Sequence, residues 1–145
     1  MYREEPQAVQ LTMHTTEVLY DDAKAEEIRE VTECDALCYE KSGKLYLKYE
    51  NVEEEQQTTT ILVITPEELI IRRKGAINSR MQFRRNLTYS FLYQTPIGAV
   101  PLTVVTKEFL VDIQKEAIKI HLSYDLASQD QVVSYRQIQL EARTS

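Results

Sequence analysis

The chain has 145 residues, 43% of them hydrophobic and 28% charged, with a formal net charge of −6 and a pI near 5.0. That length suits one ordinary domain, and the composition is that of a globule rather than a disordered chain. The longest apolar run, Ile61 to Ile64, falls far short of the roughly 20 residues that a helical membrane crossing needs.

No apolar stretch follows the opening Met-Tyr-Arg-Glu-Glu-Pro, so export is not expected. Period-two alternation then marks strands along the whole chain, at about 7–20, 28–40, 44–51, 57–65, 68–74, 79–85, 87–95, 99–106, 109–115, 117–126 and 131–141. Some of these merge, leaving about eight to ten strands. The alternation is cleanest in Leu87, Tyr89, Phe91 and Tyr93, and again in Ile118, Ile120, Leu122, Tyr124 and Leu126. One segment stays open, Asp22 to Val31, where Ala25, Ile28 and Val31 share helical spacing and a short helix competes with the strand.

Turn chemistry falls between the runs. Lys41-Ser42-Gly43-Lys44 and Thr95-Pro96-Ile97-Gly98 read as hairpin turns. Thr65-Pro66-Glu67-Glu68 could cap a helix, but the Leu69-Ile70-Ile71 that follows, with its two β-branched isoleucines, favours a turn. Pro101 cannot donate a ladder hydrogen bond and belongs near an edge or a bulge. With no linker and no repeat, residues 1–145 form one all-β domain, and neighbouring hairpins avoid exposed edges by closing into an antiparallel meander barrel.

Three blocks of the sequence together resemble the YwiB-like proteins, small bacterial proteins of uncharacterised function. The first is Ile70-Ile71-Arg72-Arg73-Lys74-Gly75-Ala76, the second Arg80-Met81-Gln82-Phe83, and the third Tyr93-Gln94-Thr95-Pro96-Ile97-Gly98. Tyr39-Glu40-Lys41 with Tyr46 to Tyr49, and Ile118 to Leu126, extend the likeness over most of the chain. The resemblance implies a lipocalin-like, or calycin, β-barrel, and it offers no catalytic residues to carry over. Pro101 and the extra basic residues Arg72 and Lys74 depart from the family pattern. The absence of tryptophan removes the Gly-x-Trp of true lipocalins, so their ligands do not transfer.

Charge is the most informative functional feature. Residues 1–71 carry 17 acids and 6 bases, whereas 72–85 carry Arg72, Arg73, Lys74, Arg80, Arg84 and Arg85 with no acid. Such a cluster is either a solvated face paired with the acidic N-terminal half or a surface site for an anion or partner, formed by Arg72, Lys74, Arg80, Arg84 and Arg85. Arg73 stands apart. It continues the parity of Leu69 and Ile71, so if they face the interior it does too, as a structural plug or as a contact for an anionic ligand. Tyr89, Tyr93 and Tyr124 share inward faces and are either core or a cavity wall whose hydroxyls orient a ligand.

Catalytic signatures are missing: His14 and His121 both read as solvent-facing, and neither has triad or metal-ligand spacing. No metal or cofactor is expected. Cys34 and Cys38 would lie about 13 Å apart on one strand, so they are expected to be reduced cytoplasmic thiols that pack. The leading expectation is a barrel that binds a small molecule without catalysis, an anion being one candidate; the alternative is an interaction module for a protein or short nucleic acid using the basic 72–85 hairpin. General nucleic-acid binding is disfavoured by the acidic balance, and the oligomeric state is left open.

Overall fold

In the computed structural model, which describes residues 4–21, 24–53, 55–76, 78–96 and 98–144, every regular element is a strand. They are β1 (Gln7–Asp21), β2 (Lys24–Lys41), β3 (Lys44–Glu53), β4 (Gln56–Ile64), β5 (Glu68–Gly75), β6 (Ser79–Arg84), β7 (Thr88–Thr95), β8 (Gly98–Ile113), β9 (Ala117–Ser128) and β10 (Gln131–Thr144). The segment from Asp22 to Val31 is not helical where it is described: from Lys24 onward it is strand, in register with β1. Its helical spacing lost because the Cα partnership runs unbroken from Asp21–Lys24 to Gln7–Cys38, and a ladder of that length outweighs three residues' worth of periodicity. Asp22 and Ala23 lie outside the described residues. The runs at 99–106 and 109–115 merge into β8 across a bulge between Thr106 and Glu108.

All pairs are antiparallel, in one sheet of order β6-β5-β4-β3-β2-β1-β10-β9-β8-β7. The two edge strands, β6 and β7, approach each other. Asn78 and Gln94 exchange two backbone hydrogen bonds of 3.1 Å there, so the barrel is nearly closed. A second break lies between β2 and β3, which pair only over Leu37–Lys41 and Lys44–Lys48; residues 24–36 pair with β1 alone. Pro101 stands opposite Leu92 on β7 but before β9 joins at Thr103, so its missing N–H interrupts no second ladder.

Local chemistry accounts for the turns. Ser42 and Gly43, at φ of 53° and 79°, close the β2–β3 hairpin, as do Gln129 and Asp130 in β9–β10; two positive values in succession are what a two-residue type I′ turn requires. The Thr65 hydroxyl accepts the backbone N–H groups of Glu67 and Glu68 at 3.3 and 3.1 Å, which makes that segment a turn between β4 and β5. The inward faces form a single core that includes Leu11, Leu47, Leu62, Ile64, Phe83, Ile118, Leu122 and Tyr124. At roughly 1.5–3 kcal/mol for each large apolar side chain, this burial is the main force holding the barrel.

Candidate functional site

The register brings two polar rows into the interior. On one wall Tyr49 of β3, Thr60 of β4, Arg73 of β5 and Ser79 of β6 stand opposite one another in succession. On the other wall the row runs Thr106 of β8, Tyr124 of β9, Arg136 of β10 and Glu17 of β1. Directly opposed residues of an antiparallel pair share a face, so each row is as inward as its buried members Tyr49, Thr60, Thr106 and Tyr124.

The second wall is internally satisfied. Arg136 makes a hydrogen-bonded ion pair with Glu17 and donates to the Tyr124 hydroxyl at 3.4 Å. Burial opposes the Arg136 charge, but the neighbouring Tyr124 and Glu17 outweigh it and raise its pKa. Tyr124, whose ring packs on Phe83 at 4.7 Å between centroids, has its pKa raised by burial, and the nearby cations Arg136 and Arg73 only partly offset this. Burial likewise raises Tyr49, against the lowering effect of Arg73 and a hydrogen bond with Thr60. Both phenols therefore keep their protons at neutral pH.

Arg73 is different. Half-buried and within electrostatic reach of both tyrosines, it has no carboxylate within 4.0 Å among the described residues. Beside it, the Ser79 hydroxyl oxygen is buried without a hydrogen-bond partner, and so is that of Thr106 on the facing wall. Arg73 and Tyr49 line an internal cavity of about 30 Å³ whose other walls are apolar, among them Met13, Leu62, Ile71 and Ile138. This cavity lies next to a guanidinium that has no carboxylate partner among the described residues.

Of the residues singled out in the sequence, the fold places Tyr124 within electrostatic reach of Arg73 but only Arg73 in the cavity lining, and it leaves Tyr89 and Tyr93 on the β7 wall. Tyr89 accepts a 2.9 Å hydrogen bond from Arg80, whose guanidinium carbon lies 5.9 Å from the ring centroid and spans the β6–β7 seam. The basic cluster is divided. Arg84 pairs with Glu68 at 3.4 Å and Glu67 at 4.0 Å, and Arg85 donates to the Phe109 carbonyl at 3.3 Å. Arg72 and Arg80 stand directly opposite each other, exposed, with exposed Lys74 nearby on the same outer face.

Sequence reasoning passed over Glu17, Tyr49, Thr60, Ser79, Thr106 and Arg136. The parity rule that picked out Arg73 also applies to Glu17, which continues the face of Leu11 and Met13, and to Arg136, which continues that of Ile138 and Leu140. It also passed over a groove of about 780 Å³ on the outer surface, where His14, Gln139 and His121 form one cross-strand row and Thr12, Glu141 and Lys119 the next. His121 sits 3.4 Å from Glu108.

Comparison with known proteins finds relatives that match most of the chain. The family described as "Domain of unknown function (DUF1934)" matches residues 11–140. The chain is 26% identical over 120 residues to the "Uncharacterized beta-barrel protein YwiB" of Bacillus subtilis (strain 168), spanning 83% of each protein. The crystal structure of the ywiB protein from Bacillus subtilis superposes with a TM-score of 0.76 at 23% identity, covering 96% of this chain and 94% of that one. The shared fold is the ten-stranded antiparallel barrel.

Proposed function

We propose that this chain, which belongs to the DUF1934 family of domains of unknown function, binds a small anionic molecule inside its barrel, with Arg73 as the anchoring residue. The observation that carries this reading is an inward guanidinium with no carboxylate partner among the described residues, beside a cavity and an unpartnered hydroxyl. An unpaired charge in a half-buried site costs stability, and a fold that tolerates one gains when an anion arrives. Around Tyr124, Arg73 and Arg136 act together with one carboxylate, Glu17, which leaves one positive charge there unneutralised among the described residues. The protonated Tyr49 and Tyr124 add hydroxyls on either wall, and a planar guanidinium presents paired donors to an oxyanion.

A titration followed by ¹H–¹⁵N NMR tests this. With acetate, phosphate and chloride added separately at low ionic strength, at least one anion should shift the amide signals of Arg73, Ser79 and Tyr49 in a saturable way. Those shifts should vanish in Arg73→Gln. Absence of any saturable response, or an equal response in the variant, rejects the reading.

A further inference from the structure

The cavity beside Arg73 also says what kind of anion fits. We infer that the ligand is a short-chain aliphatic monocarboxylate, its carboxylate held by Arg73 and Ser79 and its alkyl tail filling the apolar cavity; this rests on the anion-binding reading above. Three observations converge on it. Among the described residues Tyr124 is within electrostatic reach of two cations, Arg73 and Arg136, and of one carboxylate, Glu17, an excess of one positive charge that one monoanion neutralises. Arg73, which lines the cavity, and Ser79 stand directly opposite across β5 and β6, and the Ser79 hydroxyl lacks a partner among the described residues, so adjacent strands offer guanidinium donors and one O–H to a planar, two-oxygen acceptor. The cavity measures about 30 Å³ and is walled by Met13, Leu62, Ile71 and Ile138.

The lining decides between ligand chemistries. About 10–15 Å³ of such space accommodates one water-sized group, so this cavity takes about two. Arg73 and Tyr49 supply the polar edge of the cavity and the other lining residues are apolar, so the space beyond that edge suits an alkyl group better than a water, which would find few partners there. A phosphate would press further oxygens against Leu62 and Ile71 with no donors to meet them, at the cost of burying unsatisfied polar atoms. A methyl or ethyl group gains from the same walls.

The experiment is a chain-length series on the full protein, with acetate, propionate, butyrate and hexanoate titrated at pH 7 against inorganic phosphate, sodium chloride and propylamine. Affinity should tighten about fourfold on adding a methylene from acetate to propionate, the factor expected for one buried CH₂. It should then stop rising by butyrate and fall at hexanoate, once the cavity is full. Propylamine should give no saturable response. Cavity-filling Ile138→Phe should flatten the chain-length profile and leave acetate binding in place. Should that variant not fold, the profile of the unaltered protein decides alone. Phosphate or chloride binding at Arg73 as tightly as propionate, or affinity independent of chain length, overturns the carboxylate assignment while leaving anion binding intact. No Arg73-dependent response to any anion overturns both.

Discussion

Replacing Arg73 with methionine separates a guanidinium that holds the barrel together from one held ready for a ligand. Methionine keeps an unbranched chain against Leu62, Ile71 and the cavity wall and removes only the charge and its donors. A structural plug would owe its stability to partners. Among the described residues Arg73 has no carboxylate within 4.0 Å, and the groups it feels electrostatically, Tyr49 and Tyr124, are neutral at pH 7. Its desolvation therefore goes uncompensated in the ligand-free protein. Full burial of a lone charge costs many kcal/mol, but half exposure and solvent screening reduce this to roughly 1 kcal/mol. Arg73→Met should accordingly stabilise the free protein by about 1 kcal/mol, raising the urea midpoint by about 0.5 M for an m-value near 2 kcal/mol/M. Equilibrium unfolding by fluorescence or circular dichroism, in low salt and without added carboxylate, reads this directly. A midpoint lowered by 0.5 M or more would refute the reasoning and make Arg73 a structural plug.

Other perturbations test other parts of the structure. Gly75 has φ of +127°, and a Cβ built there would meet the Gln57 carbonyl oxygen at 2.2 Å, whereas at Gly43 nothing lies within 4 Å; Gly75→Ala should cost about 3–5 kcal/mol and Gly43→Ala about 1 kcal/mol in the same denaturation assay. Glu17→Gln leaves the partly buried Arg136 without its counter-ion and should lower stability by about 2 kcal/mol, seen as a fall in thermal midpoint. Arg72→Glu converts a like-charged cross-strand pair with Arg80 into an attractive one, with a gain of roughly 0.5 kcal/mol that shrinks in 1 M salt. Burial pushes the Cys38 thiol up to about 11 from an unfolded value of 9.0. Between those values the unfolded chain has lost a proton that the folded one keeps, so stability falls as pH rises from 9 toward 11. Tyr49 and Tyr124, raised from 10.0, add to the fall only above pH 10, whereas the Cys34 thiol, raised by burial and by Asp35, shares the range above pH 9; Cys38→Ala should therefore shrink the part between pH 9 and 10, and replacing both cysteines by alanine should remove it, in a pH series of urea midpoints.

What the sequence determines by itself is what depends on local periodicity. Alternation in Leu87–Tyr93 and Ile118–Leu126 implies strands. Ser42-Gly43 implies a tight hairpin, and the parity of Leu69, Ile71 and Arg73 points an arginine inward; each involves neighbours a few residues apart, and the structure agrees on all three. The Ala25, Ile28 and Val31 spacing misleads because a ladder of fifteen opposed pairs with β1 sets the conformation of β2 from outside the segment. Register lies beyond such reasoning. Glu17 meets Arg136 across 119 residues of chain, and Tyr49, Thr60, Arg73 and Ser79 align only because three successive strand pairs happen to be staggered as they are. Whether a carboxylate reaches Arg73, how much space is left inside, and which arginines of 72–85 find acids are outcomes of side chains converging from distant strands, and tertiary packing alone decides them.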